Sequence, residues 1–180
     1  PNAVSVQNNR LPYLSDETNQ NQIMDSIYKK LNKKINVVDV RNKLKEHRDD
    51  YIYYNSDHHW TSLGAFYAYQ KLNDSASLDD YRQMVVSKNF RGTLANGTGS
   101  IGIEDTINIF VNKNLNDYYV QESDNKIEGS IYDSSYIDSE NQYSVFLGGN
   151  KSIQRIEMDN DSKRHLLLFK DSYANTFVQF

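Results

Sequence analysis

An α/β domain with a mostly parallel central sheet is the fold class that the sequence predicts. Residues 35–40 (Ile-Asn-Val-Val-Asp-Val) are rich in β-branched side chains and read as a strand. Before them, Ile23, Ile27 and Leu31 recur at the spacing of one helix face. Residues 165–169 form a continuous apolar run between polar segments, as expected of a buried parallel strand. Strand and helix therefore alternate along the chain, which is typical of α/β proteins.

The other segments extend this prediction in chain order. Residues 1–6 read as the end of a strand, and residues 15–18 (Ser-Asp-Glu-Thr) carry the signature of a helix start. Residues 41–50 are charged and suggest a solvated helical turn. A helix with one apolar stripe is expected over residues 61–72, with Thr61 or Ser62 as its cap. Residues 88–146 alternate short apolar runs with turn residues, which predicts loops and short strands.

Length and composition narrow the classes of function. A chain of 180 residues fits one domain, taken here as residues 1–180. The 20 basic and 24 acidic side chains give a net charge of −4, so the sequence lacks the basic footprint of a nucleic-acid binder. Cysteine is absent, which excludes disulfides, thiolate metal sites and cysteine nucleophiles.

The segment from Asp57 to Trp60 (Asp-His-His-Trp) is the first candidate for catalytic chemistry. In an extended chain, residues two apart point to the same side, so Asp57 and His59 can face one another while His58 points away. A carboxylate at Nδ1 of His59 would set its tautomer and leave Nε2 free to act as a base. Ser172 is the candidate nucleophile, because it follows the predicted strand at residues 165–169 and strand ends carry ligands in open α/β sheets.

A metal site is the competing interpretation of the same residues. Asp57, His58 and His59 all offer ligand atoms for a hard ion or zinc. The cluster supplies few well-spaced ligands, and the sequence contains no HExxH motif. We therefore expect no metal and no cofactor. The remaining histidines, His47 and His165, read as structural.

Two motifs carry a resemblance to a known family. Residues 54–65 (Tyr-Asn-Ser-Asp-His-His-Trp-Thr-Ser-Leu-Gly-Ala) and 170–175 (Lys-Asp-Ser-Tyr-Ala-Asn) resemble the bacterial DHHW family, which is similar to the alginate O-acetyltransferase group of SGNH-like proteins. In that group an Asp-x-His pair precedes the nucleophile motif, as Asp57 and His59 precede Asp171 and Ser172 here. Lys170 stands where the group usually has Gly.

The resemblance implies a three-layer, flavodoxin-like fold of the SGNH hydrolase type. It implies acetyl transfer to, or ester hydrolysis on, an extracellular polysaccharide, through Ser172, His59 and Asp57. Gly149 and Asn150 would be oxyanion donors, with a plain turn as the alternative interpretation. Trp60 would stack on a sugar or pack behind His59.

The resemblance also implies a setting for the protein. The partners would be a polysaccharide, an acetyl donor and a membrane protein that passes on the acetyl group. The location would be the cell surface, with an anchor before Pro1 and more of the domain after Phe180. The alternative function is a catalytically inactive carbohydrate-binding or scaffold protein of a surface polysaccharide assembly.

Overall fold

The structure is a computed structural model and describes residues 1–11, 19–115, 117–122 and 127–180. The helix-start signature predicted at residues 15–18 lies outside these ranges. No helix within them is both long enough and apolar enough to cross a membrane.

Short helices are spread along the described chain. The α-helices are α1 (Ala3–Val6), α2 (Gln20–Lys30), α3 (Arg41–Glu46), α4 (Ser62–Gln70), α5 (Thr93–Thr98) and α6 (Tyr173–Phe177). Brief 3₁₀-helices lie at Asn8–Arg10, Leu78–Asp80, Ser134–Tyr136 and Gln142–Val145. The predicted helices before residue 35, in residues 41–50 and in residues 61–72 are thereby confirmed as α2, α3 and α4.

Capping residues explain where two of these helices begin. The Thr61 hydroxyl accepts the Gly64 amide N–H (3.2 Å), so α4 starts with a satisfied donor. At the start of the chain, the Asn2 side chain accepts the amide N–H of Ser5 (3.2 Å) and caps α1. The prediction of a strand end at residues 1–6 is therefore wrong, because this cap favours a helical turn over an extended chain.

Within the described residues, the strands form two separate antiparallel sheets. They are β1 (Tyr81–Phe90), β2 (Asp105–Asn112), β3 (Tyr118–Glu122), β4 (Ile127–Glu128) and β5 (Gln154–Met158). β1 pairs with β2, with Tyr81 opposite Asn112 and an irregularity near Ser87. β3 lies between β4 and β5 in the second sheet. Every pairing between these strands is antiparallel.

The predicted three-layer, flavodoxin-like SGNH fold with its parallel central sheet is thus wrong for the described residues. Residues 35–40 lie outside the strands, and residues 35–37 are exposed. Residues 165–169 are also unpaired, and Leu166 and Phe169 are 88% and 89% exposed. An apolar run forms a strand only where a neighbouring segment supplies hydrogen-bond partners, and the described chain supplies none to these two runs.

Two apolar clusters lie on either side of the segment from Ile52 to Trp60. One cluster contains Val6, Leu44, Ile52, Tyr53, Trp60, Ala65 and Ala68. The other contains Tyr54, Phe90, Ile107, Ile109, Tyr143, Val145 and Phe146. Tyr53 enters the first cluster and Tyr54 the second, as expected for neighbours in an extended chain. The segment that carries the Asp-His-His-Trp motif is therefore fixed from both sides.

Candidate active site

The motif lies on a short loop, residues 53–60, which we call the His59 loop. Tyr53 and Trp60 form an isolated antiparallel bridge at its base. The Tyr54 amide donates to the His59 carbonyl (3.3 Å) and closes the loop further. Residues 55–58 therefore form its tip.

Asp105, at the start of β2, fastens the tip of the His59 loop. Its carboxylate accepts hydrogen bonds from the Tyr51 hydroxyl (2.5 Å), the Asn55 amide (3.1 Å) and the Ser56 amide and hydroxyl (both 2.6 Å). Burial alone would raise the pKa of Asp105, but the bonds from Ser56 and Tyr51 outweigh it and lower that pKa. A buried anion thus holds the two residues that precede Asp57.

Asp57 is 3% exposed and is held from two directions. Its Oδ2 accepts the backbone N–H (2.9 Å) and the hydroxyl (3.0 Å) of Thr93, at the start of α5. Its Oδ1 accepts Nδ1 of His59 (2.5 Å) and the His59 amide (3.0 Å). Burial would raise the pKa of Asp57, but the bonds from His59 and Thr93 outweigh it and hold the pKa well below its usual range. Asp57 is therefore an anion at neutral pH, beside the imidazole.

The backbone at residue 92 comes so close to Asp57 that this position requires a glycine. A Cβ placed on Gly92 would lie 2.2 Å from Cβ of Asp57 and 2.5 Å from its Oδ2. The Gly92 amide donates to the Ser56 hydroxyl (3.0 Å), which keeps the two backbones together. Any larger residue at this position would have to displace the carboxylate.

His59 connects Asp57 to Ser172. Its Nε2 lies 2.7 Å from Oγ of Ser172, which is 113 residues further along the chain. With Nδ1 donating to Asp57, Nε2 is the acceptor nitrogen and Oγ of Ser172 is the donor. The structure therefore brings together the three side chains that the sequence analysis grouped, in an unbroken line of hydrogen bonds.

Ser172 directly precedes α6, as predicted, but the segment before it forms no strand, so the predicted strand-to-helix turn is wrong in its first half. Its carbonyl accepts the Asn175 amide (3.2 Å) in the first turn. The Asp171 carboxylate accepts the Tyr173 amide (3.0 Å). Both hydrogen bonds stabilise the turn that presents the Ser172 hydroxyl to His59.

His58 belongs to the same cluster but faces outward. Its side chain is 46% exposed, and its Nδ1 lies 2.8 Å from the Thr93 hydroxyl. Ligand atoms of Asp57, His58 and His59 all lie within 4.8 Å of one another, so the residues of the metal interpretation do come together. However, both nitrogens of His59 and both oxygens of Asp57 already take part in the hydrogen bonds described above. A metal ion bound by all three residues would have to replace a hydrogen bond of His59 and so break the line from Asp57 to Ser172.

Gly149 lies in a left-handed turn. Leu147, Gly148 and Gly149 have φ angles of 60°, 63° and 83°. This region is costly for a leucine, and such strain often occurs near functional sites. The Gly149 amide, one of the predicted oxyanion donors, donates to the Phe146 carbonyl (3.1 Å) and so already has a partner.

Asn150, the other predicted oxyanion donor, reaches α6 through a polar chain. The Asn175 side-chain NH₂ donates to Oδ1 of Asn150 (3.2 Å), and the Lys170 ammonium donates to Oδ1 of Asn175. Asn175 is 3% exposed and lies three residues after Ser172. Because its Oδ1 is an acceptor here, Asn150 keeps its own NH₂ group as a donor close to the start of α6.

Trp60 packs beneath α6. It is 8% exposed, and its indole N–H donates to the Tyr173 carbonyl (2.9 Å) and the Thr176 hydroxyl (2.8 Å). This burial against α6 fits a packing role for Trp60 rather than stacking on a sugar.

Sequence reasoning assigned no role to Gly92, Thr93 or Asp105. Each acts across 36 to 50 residues, so no local spacing connects it to the His59 loop. Residues 90–94 (Phe-Arg-Gly-Thr-Leu) resemble a segment of DHHW family proteins. This resemblance is the signal in the sequence that points to Gly92 and Thr93.

Known proteins match the chain at the level of sequence and of structure. The sequence profile of the DHHW proteins matches residues 7–180. The chain belongs to the DHHW family. No curated protein sequence matches it.

Solved structures support the observed fold. A DHHW family protein from Eubacterium siraeum is similar with a TM-score of 0.84 and 29% identity, over 100% of this chain and 63% of that one. Bacillus cereus PatB1 with a sulfonyl adduct is similar with a TM-score of 0.74 and 18% identity, over 99% of this chain and 65% of that one. A second PatB1 structure gives the same score and identity and covers 67% of that chain. This DHHW protein thus spans less than two thirds of the Eubacterium relative.

Proposed function

We propose that this DHHW protein is a serine-dependent enzyme that transfers an acetyl group to, or removes one from, an extracellular polysaccharide. One observation carries the proposal: Asp57, His59 and Ser172 form a continuous line, with contacts of 2.5 Å and 2.7 Å on the two nitrogens of His59. The base lies within hydrogen-bond reach of the proton that it would abstract.

The proposed reaction begins with transfer of the Ser172 hydroxyl proton to Nε2 of His59. Oγ of Ser172 then bonds to the carbonyl carbon of the acetyl ester, and the carbonyl oxygen takes the negative charge. Asp57 stabilises the imidazolium, and nearby donors such as the Asn150 side chain stabilise the oxyanion. When the ester bond breaks, His59 passes its proton to the departing oxygen and acetyl-Ser172 remains.

The second half of the reaction releases the acetyl group. His59 takes a proton from a sugar hydroxyl or from water, and that oxygen attacks the acetyl carbon. Oγ of Ser172 then departs and recovers the proton. A sugar hydroxyl gives transfer and water gives hydrolysis, with the same three residues in the same roles.

The motif order supports acetyl transfer over general ester hydrolysis. An Asp-x-His pair ahead of an Asp-Ser motif resembles the arrangement of the alginate O-acetyltransferase group. On this basis we propose a polysaccharide acceptor, an acetyl donor, a membrane protein that delivers the acetyl group, and a cell-surface location.

A binding protein without catalysis is the other candidate. It would have no need for a base in contact with a serine hydroxyl, so the 2.7 Å contact between His59 and Ser172 favours the enzyme. The structure of PatB1 with a sulfonyl adduct is in keeping with this choice, because sulfonyl reagents attach to activated nucleophiles such as serine.

Sulfonyl labelling tests the proposal directly. We expect phenylmethylsulfonyl fluoride to add one sulfonyl group to Ser172 with loss of fluoride, detected by intact-mass and peptide mass spectrometry. Ser172→Ala should take up no label, and His59→Ala should react at least about 100-fold more slowly. The same variants should lose p-nitrophenyl acetate hydrolysis.

Two exposed positions outside the site provide matched controls. Ser162→Ala and His165→Ala remove a serine and a histidine that are exposed to solvent, and both should react like the wild type. Equal labelling of wild type and Ser172→Ala would refute the proposed nucleophile.

A further inference from the structure

Tyr143 lies against the proposed active site but has no role in the mechanism above. It belongs to the 3₁₀-helix Gln142–Val145 and is 6% exposed. The sequence places it in one of the short apolar runs of residues 88–146 and provides no functional signal for it. Tyr143 follows His59 by 84 residues along the chain, and the fold places its ring on the ring of His59.

The ring of Tyr143 stacks on the imidazole. The two centroids are 3.9 Å apart and the planes differ by 12°. The His58 ring is equally near to His59, but it is tilted by 36° and belongs to an exposed side chain. Tyr143 is therefore the buried flat surface that limits rotation of the His59 ring. When His59 accepts the serine proton, the positive ring also gains from the aromatic face.

The hydroxyl of Tyr143 reaches the nucleophile. It donates to the backbone carbonyl of Ser172 (3.0 Å) and lies 3.4 Å from the Thr176 hydroxyl. Burial raises the pKa of Tyr143, so the phenol stays protonated and remains a donor. One rigid side chain thus contacts the base with its ring and the nucleophile's backbone with its hydroxyl.

We infer that Tyr143 is a positioning residue that holds His59 and Ser172 in register for proton transfer. The inference rests on the proposed function of these two residues. Its two parts are separable, because the ring sets the plane of the imidazole and the hydroxyl sets the position of the turn before α6. Proton transfer and attack depend steeply on such geometry.

Two variants separate the parts. Tyr143→Phe keeps the stacked ring and removes only the hydrogen bond to Ser172, whereas Tyr143→Leu removes both and retains an apolar side chain. Tyr132→Phe is the matched control, because the Tyr132 hydroxyl also donates to a backbone carbonyl, that of Phe110 (2.9 Å). Tyr132 packs against the same apolar cluster as Tyr143.

The first measurement is the rate of sulfonyl labelling of Ser172. We expect Tyr143→Phe to lower the first-order inactivation step about tenfold without weakening reagent binding, as for the loss of one hydrogen bond. Tyr143→Leu should lower it about 100-fold, as for a misplaced reacting group. Tyr132→Phe should leave the rate unchanged.

The second measurement is independent of activity. In proton NMR of the protein with isotope-labelled histidine, the stacked ring should shift the imidazole C–H signals of His59 upfield. That shift should persist in Tyr143→Phe and become smaller in Tyr143→Leu, because only the second variant removes the stacked ring while the tilted His58 ring stays in place. His59→Ala identifies the signals.

The outcomes distinguish the inference from the proposed function. A wild-type protein that takes up no sulfonyl group would refute the proposed function, and the positioning role with it. Normal wild-type labelling with no loss of rate in either Tyr143 variant would refute the positioning role alone. Unchanged His59 signals in Tyr143→Leu would refute the stacking of the Tyr143 ring on His59 in solution.

Discussion

At the scale of single residues, the site depends on a backbone that comes unusually close to Asp57. The carboxylate receives its hydrogen bonds from His59 on one side and from Thr93 on the other. Gly92 makes this second approach feasible, because it has no Cβ to meet Asp57. The carboxylate that orients the base thus keeps its place because residue 92 has no side chain.

Substitution of Gly92 tests this close approach. Gly92→Ala should move Asp57, lower the rate of sulfonyl labelling and reduce the free energy of unfolding by about 1–3 kcal/mol, because the added Cβ must displace packed atoms. Labelling rates and urea denaturation measure the two effects.

Gly97→Ala is the matched control, because Gly97 lies in α5, the short helix that begins directly after Gly92. A Cβ at Gly97 meets nothing within 4 Å, so this variant should keep its activity and be equally or slightly more stable. If both variants behaved alike, the contact with Asp57 would not explain the need for glycine at residue 92.

At the scale of elements, a strand and a helix fix a loop. β2 supplies Asp105 and α5 supplies Thr93, and both hold the tip of the His59 loop from outside. Gly64 in α4 packs against the base of the same segment, because a Cβ there would lie 2.3 Å from the Ile52 carbonyl. The loop is therefore ordered by its neighbours rather than by its own hydrogen bonds alone.

Removal of the Asp105 carboxylate tests this arrangement. Asp105→Ala leaves the buried amide of Ser56 and the hydroxyl of Tyr51 without their acceptor, so we expect a loss of about 2–4 kcal/mol in the free energy of unfolding. Urea denaturation followed by circular dichroism measures it. The exposed Asp74 is the control, and Asp74→Ala should change stability by less than about 0.5 kcal/mol. Equal losses in the two variants would contradict the anchoring role.

At the scale of the whole molecule, two buried carboxylates link stability to pH. The pKa values of Asp57 and Asp105 are both lowered, since hydrogen bonds to the charged forms outweigh the cost of burial. In the unfolded chain both carboxylates would have a pKa of about 3.9. A native pKa below the unfolded one gives stability that is present above about pH 4 and is lost as the pH falls through the native values.

The free energy of unfolding should therefore fall when the pH is lowered from about 5 to about 3. The double variant Asp57→Asn, Asp105→Asn should be less stable at neutral pH and should show a flatter decline, because it lacks the two titrating groups. Urea denaturation at a series of pH values provides the measurement. The same slope in wild type and variant would assign the acid sensitivity to other residues.

The tertiary structure decided the sheets and the supports of the site. Residues 35–40 and 165–169 carry strand-like side chains but form no strand in the described chain, because pairing needs a partner segment that a local pattern cannot reveal. Thr93 and Asp105 reach the His59 loop for the same reason: folding, not spacing, brings residues dozens of positions apart into contact.

The local parts of this protein follow from its sequence. The helix α4 follows from its cap, although its buried side chains lie on more than one face rather than along the predicted stripe. The pairing of Asp57 with His59 follows from their separation by two residues. The choice of Ser172 followed from the run before it and its motif, although that run turned out to be no strand. Short spacings of this kind are set by chain geometry, whereas the 2.7 Å contact between His59 and Ser172 exists because two clusters and α6 pack around the loop.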